Sequence, residues 1–163
     1  MKQFDLFSVE KGLVVAPAGC GKTQSIVTAL KNHSGLPVLI LTHTNAGVAA
    51  LKARLDSESV DGNKYRLITI DGWILRLVSS FPILSGIKID KDEKIDYANL
   101  QKGSLKIVSS GALDSVIKAT YSRLVVDEYQ DCSNLQHDLV VMLSSLLRCC
   151  VLGDPLQRIF DFR

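Results

Sequence analysis

A glycine-rich segment near the amino end of the chain has the residue types and the spacing of a phosphate-binding loop. Residues 16–23 read APAGCGKT and match the pattern GxxxxGK(S/T) at every fixed position except the first, where Ala16 replaces glycine. Backbone N–H groups along such a loop can surround phosphate oxygens, because glycine permits close approaches that a side chain would block. The expected nucleotide-binding residues are Ala18, Gly19, Cys20, Gly21, Lys22, Thr23 and Gln24.

Two side chains at the end of this segment have the chemistry of phosphoryl transfer. We expect the Lys22 ammonium to reach the terminal phosphates and to act in catalysis. The Thr23 hydroxyl is the expected Mg²⁺ ligand on the same turn. The helix that follows points its positive N-terminal end at the same anion. The alternative interpretation is a glycine turn with an exposed lysine.

A second group of candidate residues lies in the segment LVVDEYQD at positions 124–131. An apolar strand that ends in two acids can supply one carboxylate to Mg²⁺ and a second one to the attacking water. We expect Asp127 to be the metal residue and Glu128 to be the general base or water-orienting group. A solvated acidic turn is the alternative for this segment taken by itself.

The hydrophobic pattern predicts an α/β fold that would bring these segments together. Short apolar runs predict strands, and apolar residues at helical spacing predict helices between them. Alternating strands and helices indicate a parallel sheet covered on both faces, with ligands at the carboxyl ends of the strands. Strands are expected at 12–16, 37–42, 65–70, 123–127 and 149–153, and helices at 22–32, 45–55, from about 71, and at 135–147.

Composition is that of a folded protein and leaves the choice of partner open. Of the 163 residues, 47% are hydrophobic and 22% are charged, and the net charge of +2 neither requires nor excludes nucleic acid. No apolar run is long enough for a membrane span, and the amino end lacks a signal-peptide core, so we expect a cytoplasmic protein.

The apolar pattern also predicts which residues are buried. Strand 12–16 is expected to be buried on both faces, Cys149 and Cys150 to be buried on opposite faces of a strand, and Trp73 to lie in the core. The charged stretch at 89–96 is expected to be a solvated loop or hairpin.

The sequence DEYQD after a phosphate-binding loop resembles the superfamily 1 DNA helicases of the UvrD, Rep and PcrA type. Further segments agree in order along the chain. LTHTNAGVAALKARL from Leu41 resembles the family's motif Ia, which contacts single-stranded DNA, and TIDGWILRL from Thr69 resembles motif Ib, with Asp71 where the family usually has histidine. VLGDPLQRIFDFR from Val151 resembles motif III.

The resemblance implies a RecA-like P-loop NTPase domain that uses ATP and Mg²⁺ to move along single-stranded DNA. It implies that Gln157 senses the γ-phosphate and that Phe160 and Phe162 stack on bases, with core packing as the alternative for the two rings. Residues Thr42, Thr44 and Asn45 are the other expected DNA contacts. For the latter two, capping of the following helix is an alternative role that is compatible with DNA binding.

The expected domain organisation is a single RecA-like ATP-binding domain over residues 1–163, with 81–120 as a possible reduced accessory insertion. The second RecA-like motor domain is expected to be absent from this chain, so the isolated chain should hydrolyse ATP poorly. Two other functional classes stay open at this stage. One is a nucleotide-binding regulatory module without DNA-unwinding activity, and the other is a small phosphotransferase.

Overall fold

The protein is built around a parallel β-sheet. The computed structural model describes residues 5–15, 21–89 and 94–154. Five strands form one sheet in the order β1-β5-β4-β2-β3, and all neighbours run parallel. The predicted strands are confirmed, with bounds that differ by one residue at most. The strands are β1 Lys11–Val15, β2 Val38–Thr42, β3 Tyr65–Thr69, β4 Arg123–Val126 and β5 Arg148–Gly153.

The helices follow the strands in the predicted alternation, with additions between β3 and β4. They are α1 Lys22–Lys31, α2 Asn45–Ser57, α3 Ile70–Ser80, α4 Pro82–Ser85, α5 Tyr97–Ser109, α6 Asp114–Thr120 and α7 Asn134–Leu146. Helices α4, α5 and α6 occupy a region in which the sequence predicted no helix. Within the charged stretch, the described positions 89 and 94–96 contain neither helix nor strand, in agreement with the predicted loop. None of the helices within the described ranges is long and apolar enough to cross a membrane.

Helices cover both faces of the sheet, because the chain reverses its direction across the sheet. It moves from β1 through α1 to β2 and through α2 to β3, and these two helices share one hydrophobic core. It then returns to β4 and β5, and α3, α5 and α7 form the core on the opposite face. This division of the helices between the two faces is expected when every connection between parallel strands has the same hand.

Alternation along each strand divides its side chains between the two cores. Cys149 belongs to the core under α3, α5 and α7, whereas Cys150 belongs to the core under α1 and α2, and both are buried. The prediction for the two cysteines is therefore confirmed. Burial in apolar surroundings raises the pKa of the Cys149 thiol to about 12, so this side chain behaves as a small hydrophobic residue.

The prediction that the first strand is buried on both faces is wrong. Strand β1 lies at the edge of the sheet, and its described residues pair with β5. Val14 packs against the core under α1 and α2, whereas Leu13 and Val15, on the opposite face, are 59% and 56% exposed. An apolar run identifies a strand but does not identify its place in the strand order.

A polar network joins the helices on one face near the carboxyl edge of the sheet. Asp71 lies in the first turn of α3, and its Oδ1 accepts hydrogen bonds from Nε2 of Gln101 and from Nε2 of Gln136, both at 2.9 Å. Gln136 is buried and completes the capping box of α7 with Ser133. Trp73, also near the start of α3, is buried as predicted. The Asp71 carboxylate thus connects α3, α5 and α7.

We expect Asp71→Ala to lower the free energy of unfolding by about 1–3 kcal/mol, because it leaves buried amide groups without an acceptor. Asp114→Ala is the matched control, since Asp114 is an acid in the first turn of α6 and lies outside this network. The control should cost only the helix-dipole contribution of about 0.3–1 kcal/mol. Urea denaturation of both variants measures the difference, and equal losses would contradict the role of the network.

Candidate nucleotide site

The candidate residues converge on the edge of the sheet where the strands end. Helix α1 begins beyond the end of β1, Asp127 follows β4, and Asp154 follows β5. The register aligns Val15 with Gly153 and Val126 with Val151, so the three strand ends are neighbours. This is the edge at which parallel α/β sheets bind ligands. The predicted residues Ala18, Gly19 and Cys20 lie outside the described residues.

The first turn of α1 has the backbone features of an anion-binding helix start. Gly21 is its N-cap residue and has the left-handed backbone conformation (φ 81°, ψ 19°) that favours glycine. Glycine supplies no capping side chain, although the first N–H groups of a helix lack partners within the helix. These groups and the positive end of the helix dipole could therefore bind an anion at Lys22 and Thr23.

Lys22 is buried, and its ammonium group is not satisfied by the described protein. Its Nζ has no hydrogen-bond partner among the described residues, and Glu128 Oε2 lies 3.7 Å away, which is an ion pair without a hydrogen bond. A buried ammonium needs acceptors, because its loss of hydration is costly. Phosphate oxygens would supply them, so the site fits the group that the sequence predicts.

Asp127 lies beside this ammonium at the end of β4. Its N–H donates to the carbonyl oxygen of Leu41 at 2.9 Å, and its Oδ1 accepts from the N–H of Glu128 at 3.1 Å. Burial, followed by the negative charge of Glu128, raises the pKa of the Asp127 carboxyl, whereas the Glu128 N–H and the Lys22 charge act in the opposite direction. A divalent cation would relieve the unfavourable charge of this carboxylate. Thr23, the other predicted metal residue, is partly buried on the first turn of α1.

Glu128 turns toward Lys22 through an unusual backbone conformation. Its φ of 52° and ψ of 45° are left-handed, which costs a residue with a side chain about 1–2 kcal/mol. Its side chain is 42% exposed, and its carboxylate lies between Lys22 Nζ and the side chain of Gln130, whose Nε2 donates to Glu128 Oε2 at 2.7 Å. Strained backbone of this kind concentrates at functional sites. The sequence reasoning missed Gln130, and the only available signal was its place two residues after Glu128.

Gln24, another predicted nucleotide-binding residue, is hydrogen-bonded to a neighbouring helix. Gln24 lies on α1, and its Oε1 accepts a hydrogen bond from Arg54 Nη2 on α2 at 2.7 Å. Gln157, Phe160 and Phe162 lie outside the described residues. Their predicted roles at the phosphate and on DNA bases stay predictions.

Three of the predicted DNA residues lie at the same edge, where β2 leads into α2. Thr42 is buried, and its hydroxyl bonds to the backbone of Thr44. Thr44 is the N-cap of α2, and its Oγ1 accepts from the N–H of Gly47 at 3.0 Å, which confirms the capping alternative for this residue. Asn45 is exposed at the first position of the helix. Of the three, Thr44 and Asn45 present surface at this edge.

The all-parallel sheet with helices on both faces defines the chain as an α/β domain of the RecA-like class. Residues 84–163 match the family described as UvrD/REP helicase N-terminal domain. The chain is also similar to an ATP-dependent helicase/nuclease subunit of Leuconostoc mesenteroides subsp. mesenteroides, with 25% identity over 155 residues that cover 88% of this chain and 13% of that protein. Residues 84–163 are therefore similar to the UvrD-type helicase N-terminal domains, and the chain spans a small part of the length of this relative.

We expect Asp127→Asn to stabilise the nucleotide-free chain at neutral pH. The pKa of Asp127 in the folded chain is raised above the ordinary carboxyl value of 3.8, so the folded chain keeps a proton that the unfolded chain has lost. The free energy of unfolding of the wild-type chain therefore falls as the pH rises from 3.8 through the raised pKa. Asparagine does not ionise, so the variant does not lose this stability. Urea denaturation from pH 4 to pH 8 should show an advantage of the variant that grows with pH and then levels off. Asp138→Asn, on the exposed surface of α7, should show no such growth. A variant less stable than wild type at pH 7 would contradict this interpretation.

Proposed function

We propose that the chain is the N-terminal ATP-binding motor domain of a UvrD-like DNA helicase, which couples ATP hydrolysis to translocation on single-stranded DNA and duplex unwinding. One observation carries the proposal. The buried Lys22 ammonium has no hydrogen-bond partner among the described residues, and it lies at the open N-terminus of α1, 3.7 Å from the Glu128 carboxylate. An anion with several oxygens, next to a carboxylate pair, is the ligand this arrangement fits.

The proposal assigns a role to each of the predicted residues. Lys22 and the N–H groups of the first turn of α1 would hold the terminal phosphates, and Thr23 and Asp127 would hold Mg²⁺. Bound Mg²⁺ would neutralise developing charge on the phosphate oxygens. Glu128 would orient the attacking water and accept its proton. Gln157 would sense the γ-phosphate, and the preference for ATP follows from the family.

The DNA surface of this proposal is the start of α2, with Thr44 and Asn45 as direct contacts. Thr42 would act indirectly, because its hydroxyl is hydrogen-bonded to the Thr44 backbone and so positions that residue. Uncapped N–H groups and small polar side chains at a helix start are common contacts to DNA phosphates. Phe160 and Phe162 would stack on bases.

The proposal requires a partner for complete activity. A second RecA-like motor domain would supply charge that stabilises the transition state, which is worth about 10³ to 10⁵ in rate in related phosphoryl-transfer sites. Slow hydrolysis by this chain alone is therefore expected. The alternative is a regulatory module that binds nucleotide without DNA-unwinding activity. The single-domain organisation of residues 1–163 and the cytoplasmic location stay predictions.

We expect Lys22→Met to weaken binding of MgATP by about tenfold to hundredfold, because it removes a charged hydrogen-bond donor to phosphate. The folded chain should keep or gain stability, since the substitution also removes a buried ammonium that lacks a hydrogen-bond partner among the described residues. Fluorescence anisotropy with a labelled ATP analogue measures the affinity, and thermal unfolding measures the stability.

Lys31→Met is the control for this experiment. Lys31 lies on the same helix, but its exposed ammonium pairs with Glu58 at 2.6 Å. This variant should bind MgATP as the wild-type chain does. Equal affinities of the Lys22 variant and the wild-type chain would refute the nucleotide site.

For the DNA surface, we expect Asn45→Ala to weaken binding of a labelled oligo-dT at low salt by about tenfold, the scale of one hydrogen bond to a charged group. Thr44→Ala is a poor probe, because loss of the N-cap would also destabilise α2. Asn63→Ala is the matched control, since Asn63 is exposed near the start of β3, at the opposite edge of the sheet. MgATP binding without oligo-dT binding, or equal effects of both variants, would favour the regulatory module.

A further inference from the structure

Gln130 occupies a buried position between two strand ends and uses both ends of its side-chain amide. Its Nε2 donates to Glu128 Oε2 at 2.7 Å, and its Oε1 accepts from the backbone N–H of Asp154 at 3.0 Å. Glu128 belongs to the turn after β4, whereas Asp154 follows β5. The Gln130 side chain thus reaches from its own turn to Asp154, 24 residues further along the sequence.

Chemistry fixes the orientation of this amide. An ionised carboxylate can only accept hydrogen bonds, and a backbone N–H can only donate them. The Gln130 amide must therefore direct its NH₂ group to Glu128 and its oxygen to Asp154. Reversal of the amide would place an oxygen against the carboxylate and an NH₂ group against the N–H, so both bonds would be lost.

The bond from Gln130 occupies one oxygen of Glu128, and within the described part of the chain it leaves the other oxygen available. Oε2 receives the Gln130 hydrogen bond and faces Lys22 Nζ, whereas Oε1 has no hydrogen bond to another described residue. On a side chain that is 42% exposed, a hydrogen bond from a buried donor restricts the rotation of the carboxylate. The available oxygen is then held on the side away from Gln130.

We propose that Gln130 is a positioning residue for ATP hydrolysis, which holds the Glu128 carboxylate for the attacking water and ties it to the end of β5. This inference rests on the proposed function, because it assigns Glu128 a catalytic role. Gln130 itself contacts no substrate in this scheme. Its effect should fall on the rate of hydrolysis and leave nucleotide affinity unchanged.

Gly153 gives an independent way to disturb the same contact. A Cβ atom at this position would lie 3.0 Å from Gln130 Oε1 and 3.5 Å from the Gln130 backbone nitrogen. The first distance is shorter than an ordinary van der Waals contact, so Gly153→Ala should displace the amide. A side chain at position 153 should therefore change the position of the Gln130 amide.

The main test compares Gln130→Met with the wild-type chain in single-turnover hydrolysis of MgATP. Methionine keeps the length of the side chain but removes the donor and the acceptor. The rate should fall by about tenfold to hundredfold, the scale of a small displacement of a catalytic group. The Kd for the labelled ATP analogue should change by less than about threefold.

Gln101→Met is the matched control, because Gln101 is a buried glutamine whose amide also bonds to a carboxylate, that of Asp71. This variant should lower the Tm without lowering the hydrolysis rate. In a double-mutant cycle, Gly153→Ala should lower the rate of the wild-type chain and have no further effect on Gln130→Ala. Additive effects in the cycle would count against the inference.

A measurement on the nucleotide-free chain separates this inference from the proposed function. Nuclear magnetic resonance should show the side-chain amide resonances of Gln130 shifted in Glu128→Ala, while those of Gln101 stay in place. Unshifted Gln130 resonances, or a Gln130→Met variant with the wild-type rate, would overturn the inference alone. A wild-type chain that binds no MgATP would overturn the proposed function, and the positioning role with it.

Discussion

A buried ammonium group without a hydrogen-bond partner among the described residues is the constraint on which this site depends. Lys22 Nζ is held away from water by the fold, and the described side chains offer it only a distant carboxylate oxygen of Glu128. Removal of a cation from water is costly unless acceptors replace its hydration. Among the described residues no hydrogen bond replaces that hydration, so an anion that bound here would stabilise the domain.

Two further features of the same edge are unfavourable in the free domain. Burial opposes the charge on Asp127, and Glu128 has a left-handed backbone. The two hydrophobic cores must offset these costs, and both are built from residues on the strands that carry the site. The buried charge and the left-handed backbone lie beyond the end of β4, whereas the strands themselves contribute buried apolar residues to the two cores. This separation is the one expected for a stable scaffold that carries a functional site.

The sequence predicted the features that depend on the local hydrophobic pattern, but it did not predict those that depend on the order of the strands in the sheet. Continuous apolar runs located the strands, and the acidic pair after β4 is where the pattern placed it. The exposure of Leu13 depends on β1 being an edge strand, which no local pattern encodes. Helix α5 escaped prediction because polar residues such as Gln101 and Ser104 interrupt its buried face. The role of Gln130 depends on a contact with Asp154, which only the folded sheet brings near.

The strand order also determines how the nucleotide site and the proposed DNA surface could influence each other. Strand β2 lies beside β4, and neighbouring strands are only about 4.8 Å apart. The N–H of Asp127 bonds to the carbonyl oxygen of Leu41, the residue before Thr42, whose hydroxyl in turn bonds to the Thr44 backbone. These hydrogen bonds and a short run of β2 form a continuous route from the acidic turn to the start of α2. Coupling of the acidic turn to the start of α2 along this route would require no rearrangement of the two hydrophobic cores, because the hydrogen-bonded groups lie at the carboxyl edge of the sheet.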